Sequence, residues 1–180
     1  MSKVLLISES TIKKNSLINN NLDGMYLTPT IEIVQQIDLD TLIGPALKDK
    51  LCNLVGSGAI SSNENAYYKE LLDDYVTNYM IWAVMAQIQI SVNYKMTNSG
   101  VIQNQDEKKT PADYATLRAL QKQYDNYAAA YATKMKDYID NNIQHFPEAR
   151  QCKNYEVAED VNPSGIFFPS GGCRRSYIGK

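Results

Sequence analysis

The chain has 180 residues, 44% of them hydrophobic and 21% charged, with a formal net charge of −2. That length and balance fit one globular domain and exclude wholesale disorder. A single histidine, His145, excludes a site built on several histidines and the HExxH zinc-protease pattern, and 18 basic against 20 acidic residues lack the basic excess of a dedicated nucleic-acid binder.

Taken in chain order, residues 4–7 are a short apolar run, suited to a strand or an extended arm. Such a run falls short of the roughly 7–15 apolar residues of a secretory signal core, so the expectation is a protein made and kept inside a cell. Thr28-Pro29 reads as a helix start, with Ile31, Val34 and Ile37 inward, and Gly44-Pro45 breaks it. Leu47, Leu51 and Leu54 follow at i, i+4 and i+7, a short helix that Gly56-Ser57-Gly58 ends.

Two stretches contain neither glycine nor proline: Ala59 to Ser99 and Ala112 to Phe146. This is the pattern of two long helices with loops around them. The first opens on Ser61-Ser62-Asn63-Glu64, a candidate capping box. Residues 79–86 are apolar on every side and are expected to be buried all round. Gln87 to Tyr94 alternates polar and apolar as a strand would, but nothing breaks the chain before Asn98-Ser99-Gly100, so helix is favoured there. No charge falls between Tyr75 and Tyr94, yet polar residues interrupt the segment well short of the ~20 apolar residues of a membrane span. Val101 to Lys109 reads as an exposed polar linker.

Thr110-Pro111-Ala112-Asp113 reads as the start of the second long helix, with Thr110 as cap, Pro111 in the first turn and Asp113 at the positive end of the dipole. Tyr114, Leu117, Gln121, Tyr124, Ala128, Tyr131, Met135 and Tyr138 keep a 3-4 spacing and form one stripe. Pro147 is expected to close this helix, giving it a length of roughly 50 Å. With 13 Tyr against 3 Phe and 1 Trp, the chain favours half-wet packing surfaces. Tyr124, Tyr131 and Tyr138 are therefore read as a helix–helix or subunit interface, the alternative being a regulatory or ligand-binding module that uses the stripe as a pocket.

From Pro147 onward the helical period is lost. Phe167 and Phe168 stand isolated with Ile166, and the end from Cys173 to Lys180 carries Arg174, Arg175 and Lys180 with no acid, beside Tyr177. An apolar triplet and a basic end suit a segment that docks on something else. Cys52, Cys152 and Cys173 match no metal or redox spacing and read as free thiols. Gly56-Ser57-Gly58 lacks the third glycine of a dinucleotide fingerprint, and no phosphate-loop or nucleophile-elbow motif occurs. Asp38/Asp40 and Asp73/Asp74 read as solvated surface acids, and His145 as a helix-end cap. The residues alone thus point to an all-α protein that assembles rather than an enzyme, with no cofactor and no metal.

The expected fold is a helical bundle with two long antiparallel helices, shorter N-terminal helices and an extended C-terminal tail, divided at 1–146 and 147–180. Several stretches in combination resemble the head–tail connector (adaptor) proteins of tailed bacteriophages, especially those of Bacteroides phages including the crAss-like group. They are Thr28-Pro29-Thr30-Ile31, Val34-Gln35-Gln36-Ile37, Leu42-Ile43-Gly44-Pro45-Ala46-Leu47, Leu51, Tyr67, Leu71-Leu72-Asp73-Asp74-Tyr75, the apolar centre around Trp82, Tyr94 to Val101, and a tyrosine-rich last helix before Phe146-Pro147. The resemblance covers about residues 5–148. It implies a virion protein, made in the bacterial host cytoplasm, that forms a ring, commonly twelvefold, beneath the portal. Such a ring extends the DNA channel without sequence-specific DNA binding and offers the tail or further ring proteins a platform. It also implies that tails or loops bind neighbouring subunits or the portal. A subunit without basic excess suits a channel through which DNA must slide.

Overall fold

The computed structural model describes residues 4–18, 22–97, 100–103 and 113–150. Ser8 opens the first helix, α1 (Glu9–Asn15), by accepting the Thr11 N–H at 3.1 Å, with Glu9 in the first turn where the dipole favours an acid. Asp23 caps α2 (Gly24–Ile33) in the same way, accepting the Met25 N–H at 3.0 Å. The helix therefore begins before Thr28-Pro29, and Pro29 lies inside it.

α2 runs on through a π-helical segment, Val34–Leu39, into α3 (Asp40–Ile43). A π turn holds more residues than an α turn, so the face after it rotates. Ile31 and Val34 are buried as the periodicity predicts, but the inward positions then become Gln35 and Leu39. Ile37, expected inward, is 60% exposed. Gly44 ends α3 with φ 83°, a backbone only glycine adopts readily, and Pro45 takes the first turn of α4 (Pro45–Gly56). Leu47, Leu51 and Leu54 are buried along α4, as their spacing predicts. Gly58, at φ 73°, completes the turn after it.

The expected capping box at 61–64 does not form. Two 3₁₀ turns, Ala59–Ser61 and Asn63–Asn65, occupy that stretch, and the Asn65 amide ties them by donating to the Ala59 carbonyl and the Ser62 hydroxyl. Beyond them α5 (Ala66–Glu70), a second π segment (Leu71–Val76) and α6 (Thr77–Asn93) form one rod. Residues 79–86 are buried except for the half-buried Trp82, because α6 packs on α2 on one side and on the last long helix on the other. The alternating stretch after Gln87 is helical as far as Asn93. Two strands follow, β1 (Tyr94–Thr97) and β2 (Gly100–Gln103), paired antiparallel from Tyr94↔Gln103 to Thr97↔Gly100. Val101 to Gln103 thus belong to a hairpin, not to the expected linker; the rest of that linker, with Thr110 and Pro111, lies outside the described residues.

Asp113 itself caps α7 (Tyr114–Asn141), accepting the Thr116 N–H at 3.2 Å. Its 28 residues span about 42 Å. The helix ends before Pro147: the Asn142 backbone N–H and side-chain amide both donate to the Tyr138 carbonyl. A 3₁₀ turn, Ile143–His145, leads to α8 (Pro147–Arg150), so Pro147 starts a helix rather than closing one, and the first four residues assigned to the tail are helical. Ring contacts set the direction of the long pair: Tyr75 meets Tyr138 and Trp82 meets Tyr124, so α7 runs antiparallel to the α5–α6 rod. The architecture is all-α, with the β1–β2 hairpin following α6.

Candidate functional site

The tyrosine stripe faces the α6–α7 seam of a single chain. Tyr138 stacks on Tyr75 at 4.4 Å between centroids, and Tyr124 lies 5.8 Å from Trp82, which also meets Tyr127 edge-on at 5.0 Å. Tyr124 and Tyr138 are each only 9% exposed. Their burial is completed within the subunit, so of the two interfaces expected of the stripe, helix–helix or subunit, the antiparallel partner helix supplies the helix–helix one for Tyr124 and Tyr138. Tyr131 is half-buried, with the Lys134 ammonium over its ring, and Tyr114, at the start of the stripe, is exposed. Phe167, Phe168, Arg174, Arg175 and Tyr177 lie outside the described residues, as do Cys152 and Cys173.

The end of the helical region is anchored from two sides. Phe146 is fully buried, edge-on to Tyr68 at 5.2 Å, and the Tyr68 hydroxyl donates to Glu148 at 2.8 Å. Burial, and then the Glu148 carboxylate, push the Tyr68 phenol above its usual range. His145 lies beyond α7 in the 3₁₀ turn and stacks on Tyr67 at 3.7 Å, so it ties that turn to α5 rather than capping the long helix. Cys52 is a free thiol, half-buried, and burial holds it above the usual thiol range.

The acid pairs separate. Asp73 is exposed and pairs with Lys69 at 2.9 Å, and Asp74 is exposed beside it, as a solvated face requires. Asp40 pairs with Lys48 at 2.5 Å. Asp38, one half-turn earlier in the π segment, is not a free surface acid: it is half-buried and accepts the Gln87 amide at 2.7 Å. Burial raises its pKa, the Gln87 hydrogen bond opposes that, and the Asp125 charge adds to it.

Asp38 lies on one wall of a cleft of about 570 Å³. The wall from the π segment and α3 includes Asp38, Thr41 and Leu42; α6 gives Tyr79, Ala83 and Gln87; α7 gives Gln121, Asp125 and the alanines 128, 129 and 132. The small residues of α7 leave the space, and the π segment turns Asp38 toward it. Tyr79 is 6% exposed, and burial, then Asp38 and Asp125, push its phenol above the usual range. Sequence reading missed this site because its three parts are far apart in the chain. The one local signal was the alanine run 128–130 with Ala132, which opens a gap in an otherwise bulky stripe.

No group of three or more His, Cys, Asp or Glu among the described residues is placed to hold a metal ion, and no described helix is long and apolar enough to cross a membrane. Comparison with curated proteins and with solved structures gives no match. Residues 39–159 match a family of unknown function (DUF6712), a span that takes in α3 to α8 and about two thirds of the chain. The chain therefore belongs to the DUF6712 family.

Proposed function

We propose that this chain is a structural subunit of a bacteriophage head–tail connector ring, seated below the portal, extending the DNA channel and giving the tail a platform. The resemblance over residues 5–148 names the assembly. The observation that carries the assembling part is an apolar outer face on α2 and its π extension. Met25 is 65% exposed, Ile33 49% and Ile37 60%, with Pro29 exposed between them and Leu17 exposed on the preceding turn. Met25, Pro29, Ile33 and Ile37 follow one another at i+4 and so share one side of α2 and its π extension. Exposed apolar side chains in a row are costly in water unless a partner covers them. In this reading the cover is the next copy of the chain, and the mechanism is geometric: rigid helical subunits pack side by side around a channel. The C-terminal segment, with Phe167, Phe168, Arg174, Arg175 and Tyr177, fastens each subunit to a neighbour or to the portal.

Negative-stain imaging and sedimentation velocity, with and without portal protein, test the reading. The wild type is expected to form rings, alone or on the portal. The Ile33→Asp/Ile37→Asp chain is expected to stay folded and lose roughly 2 kcal/mol or more of association per buried anchor. Uniformly small particles of both proteins under all conditions would exclude a ring. A chain lacking residues 163–180 is expected to keep its helical circular dichroism but bind portal more weakly; undiminished binding would remove the tail from the assembly.

A further inference from the structure

The cleft between the first π segment, α6 and α7 has a composition that the ring reading does not use. It presents two carboxylates, Asp38 and Asp125, on facing walls, and neither forms an ion pair with a described residue. No lysine, arginine or histidine lines it. Between the acids lies Tyr79, more than nine-tenths buried, which makes no hydrogen bond to any described residue. The Tyr79 hydroxyl is not sealed from water but opens into the cleft, so its oxygen is free to accept from a ligand there. The rest of the lining is small and apolar: Ala83, Ala128, Ala129 and Ala132, with Leu42.

We propose that this cleft is a binding site for an organic cation, the guanidinium or ammonium head of an alkyl chain. The head sits between Asp38 and Asp125, where either carboxylate accepts its N–H groups, and the Tyr79 oxygen accepts another. The alkyl stem lies along the alanine floor, as long basic side chains lie on apolar surface. Gln87 holds Asp38 in place through its amide, so the anion is oriented before the cation arrives. A hard divalent metal fits less well. Only two carboxylates line the cleft, and no group of three or more His, Cys, Asp or Glu among the described residues is placed to hold a metal ion. The inference stands apart from the ring reading, because it concerns what this pocket accepts, whatever the chain assembles into. The same chemistry has two sources: a free amine or guanidine, or Arg174 and Arg175 of the chain's own basic end.

The test uses the full chain and butylguanidinium and butylamine as probes, titrated calorimetrically at low ionic strength. Saturable binding to one site is expected, weakened at least tenfold in Asp38→Asn and in Asp125→Asn and several-fold in Tyr79→Phe. Ala129→Leu, at an exposed position on the cleft wall, fills the space without touching charge and is expected to abolish binding while leaving thermal unfolding unchanged. In Arg174→Gln/Arg175→Gln, tighter probe binding than in the wild type identifies the basic end as the native occupant. Equal binding in the two identifies a free ligand. No saturable binding to either chain, or binding unaffected by Asp38→Asn, Asp125→Asn and Ala129→Leu, overturns the proposal.

Discussion

The carboxamide of Gln35 accepts the backbone N–H of Leu6 at 2.9 Å and at the same time donates to the Val4 carbonyl at 2.9 Å. A side chain thus does for residues 4–6 what a neighbouring strand would do, and the apolar arm lies buried without belonging to a sheet. Gln35 is itself buried, four residues after Ile31 and four before Leu39 on one inward row. Gln35→Leu keeps much of the volume but leaves the Leu6 N–H without a partner and the Val4 carbonyl with only the weak Cys52 thiol donor at 3.9 Å. Each unpaired buried group costs about 1–3 kcal/mol, so urea unfolding should show a loss in that range or somewhat above it. The Leu6 amide should also exchange with solvent much faster. An unchanged midpoint would mean that the arm contributes nothing to stability.

Phe146 makes a second, separable prediction. Its ring is fully buried against Tyr68 and Tyr138, while the adjacent half-buried His145 stacks on Tyr67 and meets the Gln144 amide at 3.3 Å. Phe146→Ala should cost about 3–5 kcal/mol, the range for a large aromatic removed from a core. His145→Ala should cost no more than about 1 kcal/mol, the worth of one aromatic pair. Chemical denaturation of the two variants side by side checks this. Comparable losses would mean that the turn, not the buried ring, holds the end of the helical region.

The helices with local punctuation were legible in the sequence. Gly44-Pro45 and the leucines at 47, 51 and 54 mark α4 because a positive-φ glycine, an N1 proline and a helical stripe all depend on neighbours in the chain. The long stripe from Leu117 to Tyr138 was legible for the same reason, and its burial against the chain's own α6 is the least demanding way to cover it. What could not be read is what tertiary packing decides. Neither π segment has a sequence signature, and the inward row through the first is marked by a polar residue, Gln35 between Ile31 and Leu39, while the apolar Ile37 lies outside with Ile33. Asp113 was read as a first-turn acid, although an aspartate with a free β-region backbone is as good a cap as threonine. Asp38 resembled a solvated acid because the groups that act on it, the Gln87 amide and the Asp125 charge, lie far along the chain on α6 and α7. The cleft is invisible to any local reading for that reason, and only the small residues at 128–132 hint at space.

Asp38 gives the pH prediction. Its carboxyl sits half-buried among Gln87, Tyr79 and Asp125, with no cation on the lining, and burial, together with the Asp125 charge, outweighs the Gln87 hydrogen bond to raise its pKa above 3.8. The folded state therefore holds the proton more tightly than the unfolded chain. The stability that follows is fully present below the unfolded pKa and is lost as pH rises through the folded one. At neutral pH the wild type carries a desolvated anion next to a like charge, and Asp38→Asn removes that charge while keeping an oxygen for the Gln87 amide. Asp38→Asn should therefore unfold at a higher temperature than the wild type at pH 7. The gap should narrow on acidification and close below about pH 3.8, where Asp38 is protonated in both states. Thermal unfolding of the two proteins from pH 3 to pH 8 measures the difference directly, and acid effects at carboxylates that do not interact with Asp38 cancel in it, Asp125 being the one named neighbour whose titration is coupled to it. A gap that widens as the pH falls would mean that the ionised carboxylate is the stabilising form, and that the Gln87 hydrogen bond outweighs burial.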